Sequence, residues 1–428
     1  WNPWIMTNWL TATLLLEPDA ARRSQMVHAA MQGLDIYLNG LGPEGGCDEG
    51  PSYWFAAGGC VFDALELLHS ATQGKVDVYA DPLIRNMASY VYKMHIDQNF
   101  FVNFADADPT LKADGLMLYR FGRQIGNDTL ARFGQWAYQR HGFLLNISDS
   151  PRSAGFHHRQ RQIQNLLTIG QIPTYTTPFE EVQNAWFSDV QVMTARSDKG
   201  LYVATHGGHN GESHNHNDVG DFILYAHGRP VIIDAGRGTY TAKTFSAQRY
   251  ELWWTQSQFH NLPIINGLGQ PVGRNYEARN VRYIPTPKSA SLAMNLAAAY
   301  PAEAGVQTWN RLVTLDRPTG AVSVTDEYVL SQKPASLQEV FMTTCSADLS
   351  TAGQVLLTTP GQPGSPPASV VLRYDPKQWK VAVEPIALTA PDDESFKTKW
   401  PNQTIKRIVL TAVNPLAKGL SVFTFSMR

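Results

Sequence analysis

The strongest constraint on the fold is a change of hydrophobic period between residues 170 and 186. Before it, apolar residues recur every three or four positions over residues 10–16, 20–38, 53–71, 82–96, 111–121 and 129–138. That spacing lines one face of a helix. Gly40-Leu41-Gly42-Pro43, Gln73-Gly74 and Gly126-Asn127-Asp128 break the runs, and Asp81-Pro82 reads as an N-cap followed by proline at the first helical position. Short loops between successive long helices imply antiparallel helical hairpins. With no fixed-period repeat, a toroid or irregular bundle is favoured over a solenoid.

Beyond Trp186 the apolar runs shorten and become β-branched or aromatic, at residues 190–196, 201–205, 222–225, 231–234, 311–315, 321–325, 370–374, 380–383, 405–410 and 420–425. Turns such as Asp316-Arg317-Pro318 and Pro360-Gly361 separate them. Many short strands without intervening helices predict an antiparallel β-sandwich. Residues 359–367, rich in Gly, Pro and Ser, read as a flexible surface loop. The expected organisation is an α + β chain of two domains, helical over residues 1–175 and all-β over residues 186–428.

Composition narrows the function classes. With 43% hydrophobic and 17% charged residues the chain has material for folded cores, which excludes disorder as its main state. A formal net charge of −2 supplies no global basic field for nucleic acid. The apolar run 10–16 stops at Glu17-Pro18, far short of the roughly 20 residues of a membrane span. Cys47, Cys60 and Cys345 make neither a disulfide framework nor a zinc-thiolate knuckle. Aromatics are abundant (11 Trp, 17 Tyr, 18 Phe), as cores or as stacking platforms for sugar rings. Starting at Trp1, the chain reads as a processed or trimmed piece in which any targeting signal is invisible.

One segment stands out chemically. Gly207-Gly208-His209-Asn210-Gly211-Glu212-Ser213-His214-Asn215-His216-Asn217-Asp218 holds three of the 12 histidines, just after His206. On a strand, residues i and i+2 share a face, so His214 and His216 are expected to point into one space. Asp234 ends an apolar run and His260 follows it. Imidazole nitrogen and carboxylate oxygen are common zinc ligands, so His216, Asp234 and His260 are candidate metal ligands with His214 free beside them. The competing reading is a polar loop whose histidines cap turns, with Asp234 ordering the turn at Gly236. A further element, Asn103-Phe104-Ala105-Asp106, either faces a cleft or caps its own turn. Arg120, Arg123, His157, Arg159 and Arg161 form either an anion-binding surface or a solvated helix face. Gly236-Arg237-Gly238 lacks the strand–helix context of a dinucleotide loop.

The run S-H-N-H-N-D-V-G-D-F-I-L-Y-A-H-G-R-P-V-I-I-D-A-G-R-G-T-Y over residues 213–240, R-Y-E-L-W at 249–253 and F-H-N at 259–261 resemble the heparinase II/III-like polysaccharide lyases. D-E-G-P-S-Y-W at 48–54 resembles the acidic-Gly…Tyr element of their toroid domain, and W-N-P-W at 1–4 resembles a cleft-lining helix. The resemblance implies an (α/α) toroid, here incomplete and holding only the later helical hairpins, followed by an antiparallel β-sandwich. It implies β-elimination on a uronic-acid polysaccharide, one structural Zn2+ held by His216, Asp234 and His260, and a periplasmic or secreted location.

Elimination removes the C5 proton beside a carboxylate while the 4-O glycosidic oxygen leaves. Donors must therefore neutralise the carboxylate and stabilise the enolate-like intermediate. The resemblance assigns Tyr53, His214 and Tyr240 to catalysis. It puts the carboxylate-neutralising Asn or His at or just before the start of the chain, with Asn2 and Asn8 as candidates. Glu49, Arg249 and Tyr250 complete the expected substrate contacts. Alternatives stay open: Tyr53 as a core tyrosine, Glu49 as the acidic start of a helix, Tyr250 in place of Tyr240, Trp253 and Trp254 as core. For the whole protein the alternatives are a uronyl C5-epimerase, a non-catalytic acidic-carbohydrate-binding protein, or a hydrolase with a water-activating metal.

Overall fold

The computed structural model describes residues 1–144, 159–361 and 367–428. They form two compact units. One comprises Trp1–Cys47, Pro51–Lys93 and Leu111–Glu181; the other comprises Asp48–Gly50, Met94–Thr110 and Val182–Arg428.

The first unit is helical, with helices at Asn2–Leu16, Ala20–Leu38, Pro51–Trp54, Gly58–Ala71, Pro82–Lys93, Gly115–Ile125, Asp128–His141 and Arg159–Thr168. Local chemistry sets their ends. The side chains of Asp19, Asp114 and Asn127 accept from the amides of Arg22, Met117 and Leu130, satisfying otherwise orphaned first-turn donors. The expected helix over 53–71 is two helices, because the chain breaks between Trp54 and Gly58. The expected helix over 82–96 ends at Lys93, and His95–Asp97 instead pairs with Phe100–Phe101 as a small antiparallel ladder. The helix expected at Leu111 starts at Gly115, where Asp114 can cap it.

Helices Gly115–Ile125 and Asp128–His141 approach backbone to backbone. A methyl on Gly115 would meet the Gly134 carbonyl and the Tyr138 amide, and one on Gly134 the Tyr119 amide. Arg120 and Arg161, expected to face solvent or an anion, instead serve this unit's interior. Arg120 Nε donates to Glu66 Oε1 at 2.7 Å, and the buried Arg161 pairs with the buried Asp63 at 2.7 Å. Arg123 and Arg159 are exposed, and His157 lies outside the described residues.

The second unit is built from antiparallel sheets. A five-stranded sheet runs Asn184–Phe187, Val192–Arg196, Leu201–His206, Phe222–Ala226, Arg229–Ile232 in spatial order. Pro230 falls in its edge strand, where a missing amide donor costs least. An eight-stranded sheet runs Arg279–Pro285, Ser289–Asn295, Val306–Asp316, Ala321–Leu330, Lys418–Met427, Ser369–Arg373, Gln354–Thr358, Ser346–Asp348. A four-stranded sheet runs Trp379–Pro385, Lys406–Ala412, Leu337–Thr343, Pro263–Ile265.

One core draws on all three sheets, through Val203 and Leu224, Leu292 and Val313, and Phe341 and Leu410. Strand Val306–Asp316 shows the period-2 pattern behind this: Trp309, Arg311, Val313 and Leu315 are buried while Asn310 and Leu312 are exposed. The unit is not free of helix, contrary to the sequence reading. Four short 3₁₀ turns fall within Lys243–Phe259, and Glu394–Lys399 is helical. Their isolated apolar residues lack the length for a helical period to be visible. Of the expected loop 359–367, residues 362–366 lie outside the described residues.

Candidate active site and metal centre

Residues 211–221, between the five-stranded sheet's third and fourth strands, carry the histidine motif. They form a loop, not the strand expected, and His214 sits in the left-handed region with φ 56°. His214 and His216 nevertheless converge, because both reach the same carboxylate. His214 Nδ1 lies 2.8 Å from Asp106 Oδ2, and His216 Nε2 lies 3.1 Å from Asp106 Oδ1. Tyr240 Oη donates to Asp106 Oδ2 at 2.7 Å, and Arg249 Nη2 donates to Asp106 Oδ1 at 2.8 Å.

Asp106 is 0% exposed. Burial alone would raise its carboxyl, but the bonds from His214 and His216 and the Arg249 charge hold it well below the usual carboxylate range. Asp106 belongs to the second unit although it lies among the helices in sequence.

An acceptor-only carboxylate assigns its histidine partners' protons. His214 thus turns an Nδ1–H toward Asp106, and its Nε2 lies 3.9 Å from Glu49 Oε1. Burial raises the Glu49 carboxyl, with His214 opposing. Tyr240 Oη stands 3.3 Å from His214 Nδ1, and the Arg237 guanidinium lies over the Tyr240 ring at 4.4 Å.

Arg249 is buried and aims inward. Besides Asp106, its Nη2 donates to the His214 and Asn215 carbonyls at 3.0 and 3.3 Å. The substrate carboxylate foreseen for it is replaced here by an internal one. Tyr250 Oη donates to Asn215 Oδ1 at 2.6 Å, so it supports the same loop.

His216, Asp218, Asp234 and His260 offer ligand atoms that lie within 4.8 Å of one another, in a fully buried cluster that could hold a metal ion. The residues fit such an ion. His216 Nδ1, Asp218 Oδ2, Asp234 Oδ2 and His260 Nε2 are buried without a hydrogen-bond partner, a state native interiors avoid. In three of the four residues the other side-chain polar atom is engaged elsewhere. His216 Nε2 faces Asp106, His260 Nδ1 donates to the Phe259 carbonyl at 3.0 Å, and Asp234 Oδ1 accepts from Gly236 N at 2.6 Å.

Electrostatics agree. Burial, with Asp221 and Asp218 beside it, drives the Asp234 carboxyl well above its ordinary value, while burial pushes His260 down to about 3. Asp234 thus both orders its turn and aims an oxygen into the cluster. The His216 and His260 rings stack at 5.2 Å, and the buried Trp254 meets His216 edge-on at 5.3 Å. Trp254 therefore walls the cluster.

Asn261, in the F-H-N element, holds His260 in place. Its Nδ2 donates to the Phe222 and Ile233 carbonyls at 2.8 and 3.1 Å, and its Oδ1 accepts from Met342 N at 2.6 Å. Asn103 Nδ2 donates to the Asp234 carbonyl at 3.1 Å, which gives the Asn103–Asp106 element a tertiary role.

Asp106 and Asp218 were not among the expected site residues. Asp218 was visible inside the motif, two positions after His216. Asp106 had only its place in Asn103–Asp106 to recommend it. Tyr53 lies half-buried in the helix Pro51–Trp54, Asn2 half-buried at the start of the first helix, and Asn8 exposed along it. These three belong to the helical unit, whereas Glu49, His214, Tyr240, Arg249, Tyr250 and the metal cluster belong to the other.

The family model for the heparinase II/III-like C-terminal domain matches residues 183–365. No curated protein matches the chain. Among solved structures, it is similar to a mutant of the heparan sulfate lyase HepC from Pedobacter heparinus, with TM-score 0.70 and 14% identity over 99% of this chain and 59% of that one. A heparinase III structure gives TM-score 0.70 and 14% identity over 98% of this chain and 58% of that one. The chondroitin AC lyase of Streptomyces coelicolor A3, in complex with chondroitin sulphate, gives 0.50 and 11% over 95% and 58%. The chain thus spans about three-fifths of these structures, with which it shares a fold of helices and antiparallel sheets. The matched residues 183–365 contain the histidine motif and the whole metal cluster, and over them the chain is similar to the heparinase II/III-like C-terminal domain.

Proposed function

We propose that this chain is part of a polysaccharide lyase that cleaves uronic-acid glycans by β-elimination. Residues 1–175 supply the later hairpins of an (α/α) toroid, and residues 186–428 a β-sandwich domain. The observation that carries the reading is His214: its Nδ1 is tied to Asp106 at 2.8 Å, and its other nitrogen, Nε2, lies 3.9 Å from Glu49 Oε1 on a partly exposed side chain. That is the arrangement a general base requires.

In this reading His214 Nε2 takes the C5 proton. Tyr240, whose Oη is 3.3 Å from His214 Nδ1, serves proton transfer or the developing charge. Tyr53 keeps the role the family resemblance implies, as base and donor to the leaving 4-O oxygen. Asn2 and Asn8 are the candidates for neutralising the substrate carboxylate, and Glu49 and Tyr250 for contacting substrate. Arg249 acts through the loop it holds. The ligands His216, Asp218, Asp234 and His260 suit Zn2+, whose contribution when bound is to fix the loop 211–221 and the segment around His260. An acidic glycan as partner and an exported location follow from the same reading. Among the described residues, no helix is long and apolar enough to cross a membrane.

The test is ultraviolet absorbance during incubation with a panel of uronate polysaccharides. An unsaturated product formed from one polymer, and lost in a His214 variant, supports elimination. C5 inversion without a double bond means an epimerase. Binding without turnover means a carbohydrate-binding protein, and saturated cleavage products mean a hydrolase.

A further inference from the structure

One carboxylate in the site, that of Asp106, has four side-chain partners and is not among the four residues of the metal cluster. Asp106 sits at the end of an excursion, Met94–Thr110, that leaves the helical stretch of the sequence to join the second unit. Its two oxygens divide the site between them. Oδ2 takes His214 Nδ1 and Tyr240 Oη, the candidate proton-transfer groups; Oδ1 takes His216 Nε2, on a candidate metal ligand, and Arg249 Nη2. The excursion itself is pinned, since Arg237 Nε donates to the Asp106 carbonyl at 3.0 Å and Asn103 bonds the Asp234 carbonyl.

We propose that Asp106 is the positioning residue of this site: one carboxylate that sets the tautomer of His214 through Oδ2 and, through Oδ1, of the metal ligand His216. This rests on the lyase reading only for its kinetic consequence. The physical argument is one of donor count. Four donors converge on two oxygens that can only accept, so each imidazole must turn an N–H toward Asp106. A neutral His214 then has its lone pair on Nε2, and a neutral His216 has its lone pair on Nδ1, on the side of the cluster. Partners that orient metal ligands in this way typically change affinity or activity by about 10–100-fold when removed.

Asp106→Asn separates this from a general structural role. The Arg249 guanidinium demands an oxygen on its side, so the new amide NH2 turns toward His214 and donates to Nδ1. The tautomer of His214 then inverts and Nε2 loses its lone pair. In ¹⁵N-histidine NMR of the zinc-loaded protein, with His214 assigned by its substitution, neutral His214 is expected protonated on Nδ1 in the wild type and on Nε2 in D106N. On a polymer that the wild type cleaves, kcat should fall by about 10–100-fold with KM little changed. Asp106→Glu, which restores two acceptor oxygens, should recover the wild-type tautomer and part of kcat.

An unchanged His214 tautomer in D106N overturns the proposal, as does full kcat in that variant. Should D106N fail to fold, the wild-type spectrum decides: a neutral His214 protonated on Nε2 overturns it. Absence of turnover by the wild type on every polymer would sink the lyase reading and leave the tautomer measurement standing.

Discussion

His214 Nδ1 and Asp106 Oδ2 lie 2.8 Å apart across 108 residues of sequence, and the same carboxylate bonds His216 at 3.1 Å. The candidate base and a candidate metal ligand are therefore oriented by one side chain, yet their other nitrogens face different ways. His216 Nδ1 faces the buried cluster, and His214 Nε2 faces Glu49. Base and metal should then be separable by mutation.

His214→Asn is the cleanest separation. Asparagine tolerates the left-handed backbone that His214 adopts at φ 56°. Turnover should fall by about 100-fold or more, since a general base contributes about 100- to 10,000-fold. Metal content by elemental analysis should stay at the wild-type level; loss of the metal would make His214 a ligand.

Asp234→Ala and Asp218→Ala should each lower metal content and melting temperature, because metal bound only by the folded state adds to folding free energy. Chelation should lower the wild-type melting temperature and leave that of Asp234→Ala nearly unmoved. If Asp218→Ala alone keeps its metal, the shell is His216, Asp234 and His260, and Asp218 serves as the partner of His206, 3.5 Å away.

Arg311→Met tests the scaffold behind the cluster. Arg311 is buried, pairs with Asp326 at 2.6 Å and Glu339 at 3.1 Å, and its Nη1 donates to the Gly220 and Asn261 carbonyls at 3.1 and 2.8 Å. Those carbonyls belong to the two segments that carry the cluster's histidines. Removing one partner of such a buried network costs about 3–5 kcal/mol. Chemical denaturation should read that loss, accompanied by weaker metal binding. A loss below about 1 kcal/mol, the range of an exposed pair, would mean that the buried carboxylates find other partners.

Gly134→Ala should destabilise the helical unit. In an exposed helix the change gains up to about 1 kcal/mol. Here the added methyl meets the Tyr119 amide of the neighbouring helix, and overpacking of this kind costs about 1–3 kcal/mol. Thermal unfolding reads the sign directly, and a more stable variant would show that the two helices can part without cost.

What the sequence by itself determined is whatever depends on near neighbours. The helical period before residue 170, the short strands after 186, the cap at Asp81, and the types and order of His216, Asp234 and His260 are all written within a few residues of one another. Spacings of 3.6 and 2 residues decide which side chains share a face, and that needs no knowledge of the rest of the chain.

Tertiary structure decided the rest. It sent residues 48–50 and 94–110 out of the helical stretch to join the sheets, so Asp106 and Glu49 meet His214. It also turned Arg249 inward, where the sequence suggested a substrate contact, and shaped the histidine motif as a turn in place of a strand. The reason is physical. A buried carboxylate needs donors from wherever the chain passes, and their convergence depends on the path of the whole backbone, which no local spacing records.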